Sequence, residues 1–204
     1  MVQRHSGYTR RRRDHYVTPA WVVQALRPHL PQACTIWECA AGDGTMAAVM
    51  RSWGIAVRAT DIANGIDFLQ QRHCAELVIA TNPPYGRQAR DFIEHALALT
   101  RPQLGVVAML LRANYDTIGT RQHLFGHCPQ FAKRLVLTER IRWIPNSTGE
   151  PSDNHAWFLW GWRHRGPPIL AYHNDQPARP RAFDIEAFNR MTKRRDDHAP
   201  LHHD

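Results

Sequence analysis

The sequence lacks the patterns that mark several common classes of protein. No window of the chain holds the 18 uninterrupted apolar residues that suggest a membrane-spanning helix, and the first thirteen residues lack the apolar core of a signal peptide. No Gly-Lys-Ser/Thr sequence follows a glycine turn, which argues against ATP or GTP hydrolysis. We therefore expect a soluble protein of the cytoplasm with no membrane partner.

Cysteine is also scarce, and its spacing favours reduced thiols, because no CxxC pair is present. The four cysteines are Cys34, Cys39, Cys74 and Cys128. His123 and His127 stand at i and i+4 beside Cys128, which could place metal ligands on one helical face. No fourth ligand or catalytic glutamate accompanies them, so we predict a surface helix and no metal site.

Positive charge is abundant and unevenly distributed. The 204 residues include 26 Lys and Arg against 18 Asp and Glu, which gives a formal charge of +8 and favours a polyanionic partner. Arg4 and Arg10 to Arg13 surround Tyr8 in a segment too polar to pack. We predict that residues 1–15 form a basic flexible arm. It either neutralises phosphates or is a plain disordered terminus.

Hydrophobic patterning predicts one α/β catalytic domain over residues 16–165, followed by a loosely packed tail over 166–204. A helix begins with Thr18 as N-cap and Pro19 at its first position. The other predicted segments are strands at 35–40, 55–60, 76–81, 105–111 and 134–137 and helices at 46–50 and 92–99. Alternating strands and helices indicate a doubly wound, mostly parallel, Rossmann-like sheet. The aromatic segment His155–Trp162 suits a final antiparallel strand that closes it.

Three polar residues follow predicted strands, where ligands of such sheets bind. Glu38, Asp61 and Asn82 hold these positions. The acidic pair suits a ligand with hydroxyls and an ammonium, such as the ribose and methionine ends of S-adenosylmethionine. Gly42 and Gly44 form a turn after the first strand, for which ordinary turn packing is the alternative explanation.

Asn82-Pro83-Pro84-Tyr85 is the most specific motif of the chain. Two prolines directly after a buried strand fix the backbone and remove two donors, so that carbonyl groups point outward. The Asn82 amide oxygen and the Pro83 carbonyl can both accept hydrogen bonds from an NH2 group on a ring and stabilise the charge that develops when its nitrogen attacks a methyl group. Tyr85 offers a face for stacking. The alternative is a rigid turn at the end of the strand.

This motif, the Glu38-Cys39-Ala40-Ala41-Gly42-Asp43-Gly44 turn and Tyr16-Val17-Thr18-Pro19 together resemble the amino-methylating, S-adenosylmethionine-dependent DNA adenine methyltransferases. The resemblance covers roughly residues 16 to 111. It implies the class I methyltransferase type of sheet, S-adenosyl-L-methionine as cofactor and N6 of adenine in DNA as the methylated group.

The resemblance also implies roles for individual residues. Asn82, Pro83, Pro84 and Tyr85 would be catalytic. Cofactor contacts would come from Asn82 and from Tyr16, Thr18, Pro19, Glu38, Ala40, Gly42, Gly44, Asp61, Ile62, Asp67 and Phe68. Thr18 and Pro19 would lie along the methionine moiety and Glu38 would take its ammonium. Asp61 would accept the ribose hydroxyls, Asp67 would accept the adenine amine and Phe68 would stack on adenine, although Asp67 could equally cap a turn and Ile62 or Ile66 could cover adenine instead.

The expected reaction is a direct methyl transfer without a covalent enzyme intermediate. Methylation at C5 of cytosine would need a Pro-Cys nucleophile, whereas this chain has Cys128-Pro129 in the reverse order. In duplex DNA the adenine would have to flip out of the stack. We expect Arg112 to Phe131, the loop Pro145 to Asn154 and the basic arm to contact DNA. A glutamine amide in a protein, a base amino group in RNA and a non-enzymatic nucleic-acid binding module remain alternatives.

Overall fold

The computed structural model describes residues 17–144 and 153–173, and these form a seven-stranded sheet with helices on both faces. The strands are β1 (Ile36–Glu38), β2 (Val57–Ala59), β3 (Val78–Thr81), β4 (Val106–Arg112), β5 (Phe131–Leu137), β6 (His155–Gly161) and β7 (Ile169–His173). The helices are α1 (Ala20–Leu26), α2 (Thr45–Arg51) and α3 (Arg87–Thr100), with short 3-10 turns between strands. The predicted arm, Tyr16 and most of the predicted tail lie outside the described residues.

The strand order is β2-β1-β3-β4-β6-β5-β7, and β6 is antiparallel to both of its neighbours. The other adjacent pairs are parallel. This confirms the predicted α/β fold class with its mostly parallel sheet and one antiparallel strand. Its position differs from the prediction, because β6 lies inside the sheet rather than at its end. All residues from His155 to Trp160 are buried.

Apolar runs form the central strands because helices cover both of their faces. Every residue of β3 is buried, and so are five successive residues of β4. One core cluster joins the sheet to α1 and α2, and a second joins it to α3. None of the helices among residues 17–144 and 153–173 is long and apolar enough to cross a membrane.

Helix α1 begins one residue later than its sequence predicts. Pro19 is the N-cap, and its carbonyl accepts from the backbone N–H of Val22 at 3.0 Å and of Val23 at 3.4 Å. Thr18 therefore does not cap the helix. Its hydroxyl is engaged by a side chain far along the sequence, so the local capping signal was misleading.

The segment after Gly166 is also more ordered than its composition predicts. Ile169–His173 forms β7, which pairs in parallel with β5 over five residues. Ala171 packs against the core, whereas Leu170 and Tyr172 are exposed. The predicted tail thus begins with an edge strand. Because β7 has only five residues and pairs on one side, its sequence carries little hydrophobic pattern.

The region of the paired histidines differs from prediction too. Residues Gly119–Leu124 form a 3-10 helix, so His123 and His127 do not share one face of an α-helix. The His123 imidazole instead lies 2.9 Å from a carboxylate oxygen of Glu94 on α3. No group of three metal-ligating side chains occurs in the part of the chain that the structure describes.

Candidate active site

A cavity of about 690 Å³ opens where β1, β2 and β3 end, which is the carboxyl edge of the parallel strands. Twelve of the predicted site residues line it: Thr18, Glu38, Ala40, Gly42, Asp61, Ile62, Asp67, Phe68, Asn82, Pro83, Pro84 and Tyr85. Pro19 and Gly44 do not line it, and Tyr16 lies outside the described residues. The fold therefore gathers most of the predicted positions in one place, where parallel sheets bind ligands.

Glu38, at the end of β1, is completely buried. One of its carboxylate oxygens, Oε1, accepts from the Thr81 hydroxyl at 2.5 Å and from the Ala40 backbone N–H at 3.2 Å. The other, Oε2, is buried without a hydrogen-bond partner in the described part of the chain. Burial raises the pKa of Glu38 to about 8, and the nearby charge of Asp61 adds to this effect. A buried acceptor of this kind suits a cationic donor.

Asp61 organises the glycine turn. Its Oδ2 atom accepts from the Gly42 backbone N–H at 2.8 Å, and its Oδ1 atom accepts from the Ala63 N–H at 2.8 Å. Gly42 and Gly44 have φ angles of 52° and 83°, in the left-handed region that glycine adopts without strain. The end of β2 thus holds the turn that follows β1 open toward the cavity.

Asn82 lies directly after β3, and its side-chain amide has two different environments. Its Nδ2 group donates to the Thr18 hydroxyl oxygen at 3.2 Å. Its Oδ1 atom is buried and accepts no hydrogen bond from the residues that the structure describes. An acceptor of this kind is costly unless a ligand supplies a donor.

The two prolines and Tyr85 connect Asn82 to α3. Pro83 is buried, while Pro84 and Tyr85 are partly exposed at the cavity wall. Gly86 then turns the chain with φ 81° and ψ −136°, a conformation that other residues rarely adopt, and α3 begins at Arg87. The motif is therefore a short, conformationally restricted connection between a buried strand and a helix.

Asp67 and Phe68 make contacts within the fold that the resemblance does not imply. Asp67 caps a 3-10 turn, because its Oδ1 atom accepts from the Leu69 N–H at 2.9 Å. Phe68 is 1% exposed and packs against Trp37, Phe92 and His95 with ring centroids about 5 Å apart. Both residues still line the cavity.

Ile62 and Ile66 can be compared directly. Ile62 lines the cavity and is 70% exposed, so of the two isoleucines it is the one that can pack against a planar ligand. Ile66 does not line the cavity.

Several residues of the site were not selected from the sequence. Thr81 holds Glu38 in place, and its only local signal is a hydroxyl at the end of an apolar strand. Met46 and Phe92 line the cavity from the helices, where the sequence predicts helical segments and gives no sign of a ligand contact. Gln88, on the first turn of α3, adds a polar side chain to the wall.

The cavity has a strongly acidic lining. Four acidic residues line it, Glu38, Asp43, Asp61 and Asp67, whereas no lysine or arginine lines it among the described residues. Such a lining attracts a cationic ligand and disfavours a polyphosphate. The described site therefore differs sharply in charge from the chain as a whole, which carries +8.

No family model and no curated protein matches the sequence. Solved structures match in fold: a candidate class I S-adenosylmethionine-dependent methyltransferase from Listeria monocytogenes has a TM-score of 0.51 and 10% identity over 82% of this chain and 68% of its own. A modification subunit of a candidate type I restriction enzyme from Vibrio vulnificus has a TM-score of 0.52 and 11% identity, over 91% of this chain and 53% of its own.

The fold is that of the class I methyltransferases. Within it, the candidate site combines an acidic pocket with two buried acceptor atoms, Glu38 Oε2 and Asn82 Oδ1. The first lies at the end of β1 and the second directly after β3, two adjacent strands. One cavity can thus receive a cationic ligand and an amino donor side by side.

Proposed function

We propose that this protein transfers the methyl group of S-adenosylmethionine to the exocyclic N6 amine of adenine in DNA. The observation that carries the proposal is the unpaired, buried Oδ1 atom of Asn82, a residue that lines the same cavity as Glu38, whose Oε2 atom is also buried and unpaired. One acceptor suits the amine to be methylated, and the other suits the ammonium of the cofactor.

The residues of the acidic pocket fit the cofactor chemically. Glu38 would hold its ammonium, since the buried Oε2 atom lacks a partner and an ammonium would give it a charge-assisted hydrogen bond. Asp61 would accept the ribose hydroxyls through the remaining lone pairs of its carboxylate, and Ile62 would cover the adenine ring. When bound, the cofactor supplies an electrophilic methyl group on a sulfonium centre.

The Asn82-Pro83-Pro84-Tyr85 segment binds and orients the amine. Asn82 Oδ1 and the Pro83 carbonyl accept its two hydrogens, which draws the nitrogen lone pair out of conjugation with the ring. Tyr85 stacks on the base. Because Asn82 and the prolines are held by a buried strand, these acceptors need little reorganisation when positive charge develops on the nitrogen.

DNA is proposed as the substrate because the chain is basic while its cavity is acidic. Arginines outside the cavity would neutralise phosphates, and the cavity would take the uncharged base together with the cationic cofactor. The resemblance of the motifs to DNA adenine methyltransferases supports adenine. The Vibrio neighbour is named as a restriction-enzyme modification subunit, which agrees with this choice.

The test is an incubation of the protein with radiolabelled S-adenosylmethionine and DNA, RNA or protein acceptors in parallel. The labelled acceptor is digested to its units and the product is identified by chromatography. We expect label in N6-methyladenine from DNA. Label in RNA alone, or in protein glutamine alone, would overturn the proposed substrate while leaving methyl transfer intact.

A further inference from the structure

Thr18 lies in an unusual position for a residue that precedes a helix. It is 5% exposed and lines the cavity, yet it makes no side-chain cap to α1. Its hydroxyl oxygen instead accepts from Asn82 Nδ2, across 64 residues of sequence. The hydroxyl is therefore committed to the residue that carries the unpaired acceptor.

The orientation of the Asn82 amide decides what the site can bind. A half-turn of the amide exchanges Oδ1 and Nδ2, and a threonine hydroxyl can satisfy either end, because it both accepts and donates. If Nδ2 pointed toward the substrate, the N–H groups of Asn82 and of the substrate amine would face each other, and neither could accept a hydrogen bond from the other. An amine can bind only when Thr18 acts as the acceptor and leaves Asn82 Oδ1 available.

Thr18 acts only as an acceptor toward Asn82 when its own proton goes elsewhere. Among the described residues, its hydroxyl donates to no side chain or carbonyl group, and it lines the cavity. A hydrogen bond links Thr18 to Asn82. Thr81, which precedes Asn82 in the chain, donates a hydrogen bond to Glu38. An amino acid ligand whose ammonium pairs with Glu38 carries its carboxylate on the same carbon, so it would bring an anionic acceptor into the cavity that Thr18 also lines.

We propose that Thr18 is a positioning residue that couples the carboxylate of the cofactor to the orientation of Asn82. Its hydroxyl donates to that carboxylate and, as a result, accepts from Asn82 Nδ2, which fixes Oδ1 toward the target amine. The inference rests on the proposed function. It adds that cofactor occupancy prepares the acceptor for the substrate, so that the two ligands bind with positive coupling.

The test measures DNA affinity with and without a cofactor product, using the shortest oligonucleotide that the wild-type protein methylates. S-adenosylhomocysteine should tighten binding by about 5-fold or more, whereas its decarboxylated analogue should not. The same oligonucleotide with purine in place of the target adenine lacks the 6-amino group and should lose the coupling. Equal effects of the two cofactor compounds on the wild-type protein would overturn the proposal without any variant.

Two substitutions separate the hydroxyl from the shape of the side chain. Thr18→Val keeps the volume and should abolish both the coupling and most of kcat, while Thr18→Ser keeps the hydroxyl and should retain both. Retained coupling in Thr18→Val, or its loss in Thr18→Ser with unchanged thermal unfolding, would contradict the role of the hydroxyl. If the wild-type protein methylates no nucleic acid, the proposed function itself fails, which is a different outcome.

Discussion

Two buried acceptor atoms distinguish the candidate site at the scale of the residue. Glu38 Oε2 and Asn82 Oδ1 lack hydrogen-bond partners in the described structure, although each is fixed through its other terminal atom by a threonine. Unpaired buried acceptors destabilise a folded protein by about 1–3 kcal/mol each, so they indicate positions that a ligand completes.

Replacement of Asn82 tests the acceptor directly. Asn82→Ala should leave S-adenosylhomocysteine affinity within a few-fold of wild type but lower kcat by about 10²–10³-fold, because one preorganised acceptor is removed. Isothermal titration and single-turnover methylation measure the two quantities. Asn64→Ala, at an exposed position beyond the cavity lining, is the matched control. Normal turnover in Asn82→Ala would refute the site assignment.

Glu38 should make the stability of the ligand-free protein depend on pH. The folded pKa is about 8 against an ordinary value of 4.5, so between these values the folded state holds more protons than the unfolded state. Stability therefore falls as pH rises through this window, by up to about 1.4 kcal/mol per pH unit. Glu38→Gln removes this contribution. In urea unfolding from pH 5 to 8, the free energy of unfolding of the variant should therefore rise relative to that of wild type as pH increases.

Two comparisons complete this measurement. Glu139→Gln removes a carboxylate from an exposed position and should leave the pH dependence of wild type in place. Saturating S-adenosylhomocysteine should flatten the slope of the wild-type free energy of unfolding against pH, since its ammonium would stabilise the charged carboxylate of Glu38. A constant difference between Glu38→Gln and wild type at every pH would contradict the raised pKa.

At the scale of the element, β3 and β4 are held close together beside the end of α3. Gly105 precedes β4, its N–H donates to Thr100 at the end of α3, and its carbonyl accepts from Trp162 after β6. A Cβ atom there would lie 2.4 Å from the Leu77 carbonyl oxygen and 3.2 Å from Thr100 Cβ. The backbones approach so closely that only glycine fits.

Gly105→Ala should therefore destabilise the fold by about 1–3 kcal/mol, since backbone must move to admit the methyl group. Gly119→Ala is the control, because no atom lies within 4 Å of its Cβ position. Urea unfolding of both variants at one pH measures the difference. Equal losses of stability in the two variants would argue against close approach as the cause.

At the scale of the whole molecule, the acidic cavity contrasts with the basic chain. Deleting residues 1–13 removes five arginines and changes the formal charge from +8 to +3. If the arm binds phosphates, the slope of log Kd against log salt for DNA should fall by about 0.9 for each phosphate that the arm neutralises. An unchanged slope would assign the arm no part in binding.

The control for this deletion comes from the opposite edge of the sheet. Arg101, Arg163 and Arg165 are exposed near the start of β4 and the end of β6, away from the carboxyl edge. Changing all three to glutamine removes three charges without touching the site. The salt slope should then stay close to that of wild type, which separates local phosphate binding from total charge.

The sequence by itself determined the fold class and most of the candidate site. Apolar runs that stop at Glu38, Asp61 and Asn82 mark strand ends, and parallel strands bring their ends to one edge of a sheet. Such periodic patterns are local, so they can be read without coordinates. The α1 start, the interior position of β6 and the pairing of β7 were not predictable, because each depends on neighbours distant in sequence.

Only the tertiary structure decided how the site atoms are paired. Thr18 carries the signal of a helix cap, but folding places its hydroxyl against Asn82, and Thr81 carries no signal for its contact with Glu38. Phe68, expected to stack on a ligand, is mostly enclosed by the core. Hydrogen bonds between segments tens of residues apart depend on packing, so residue type fixes which groups are available and the fold fixes which of them remain for a ligand.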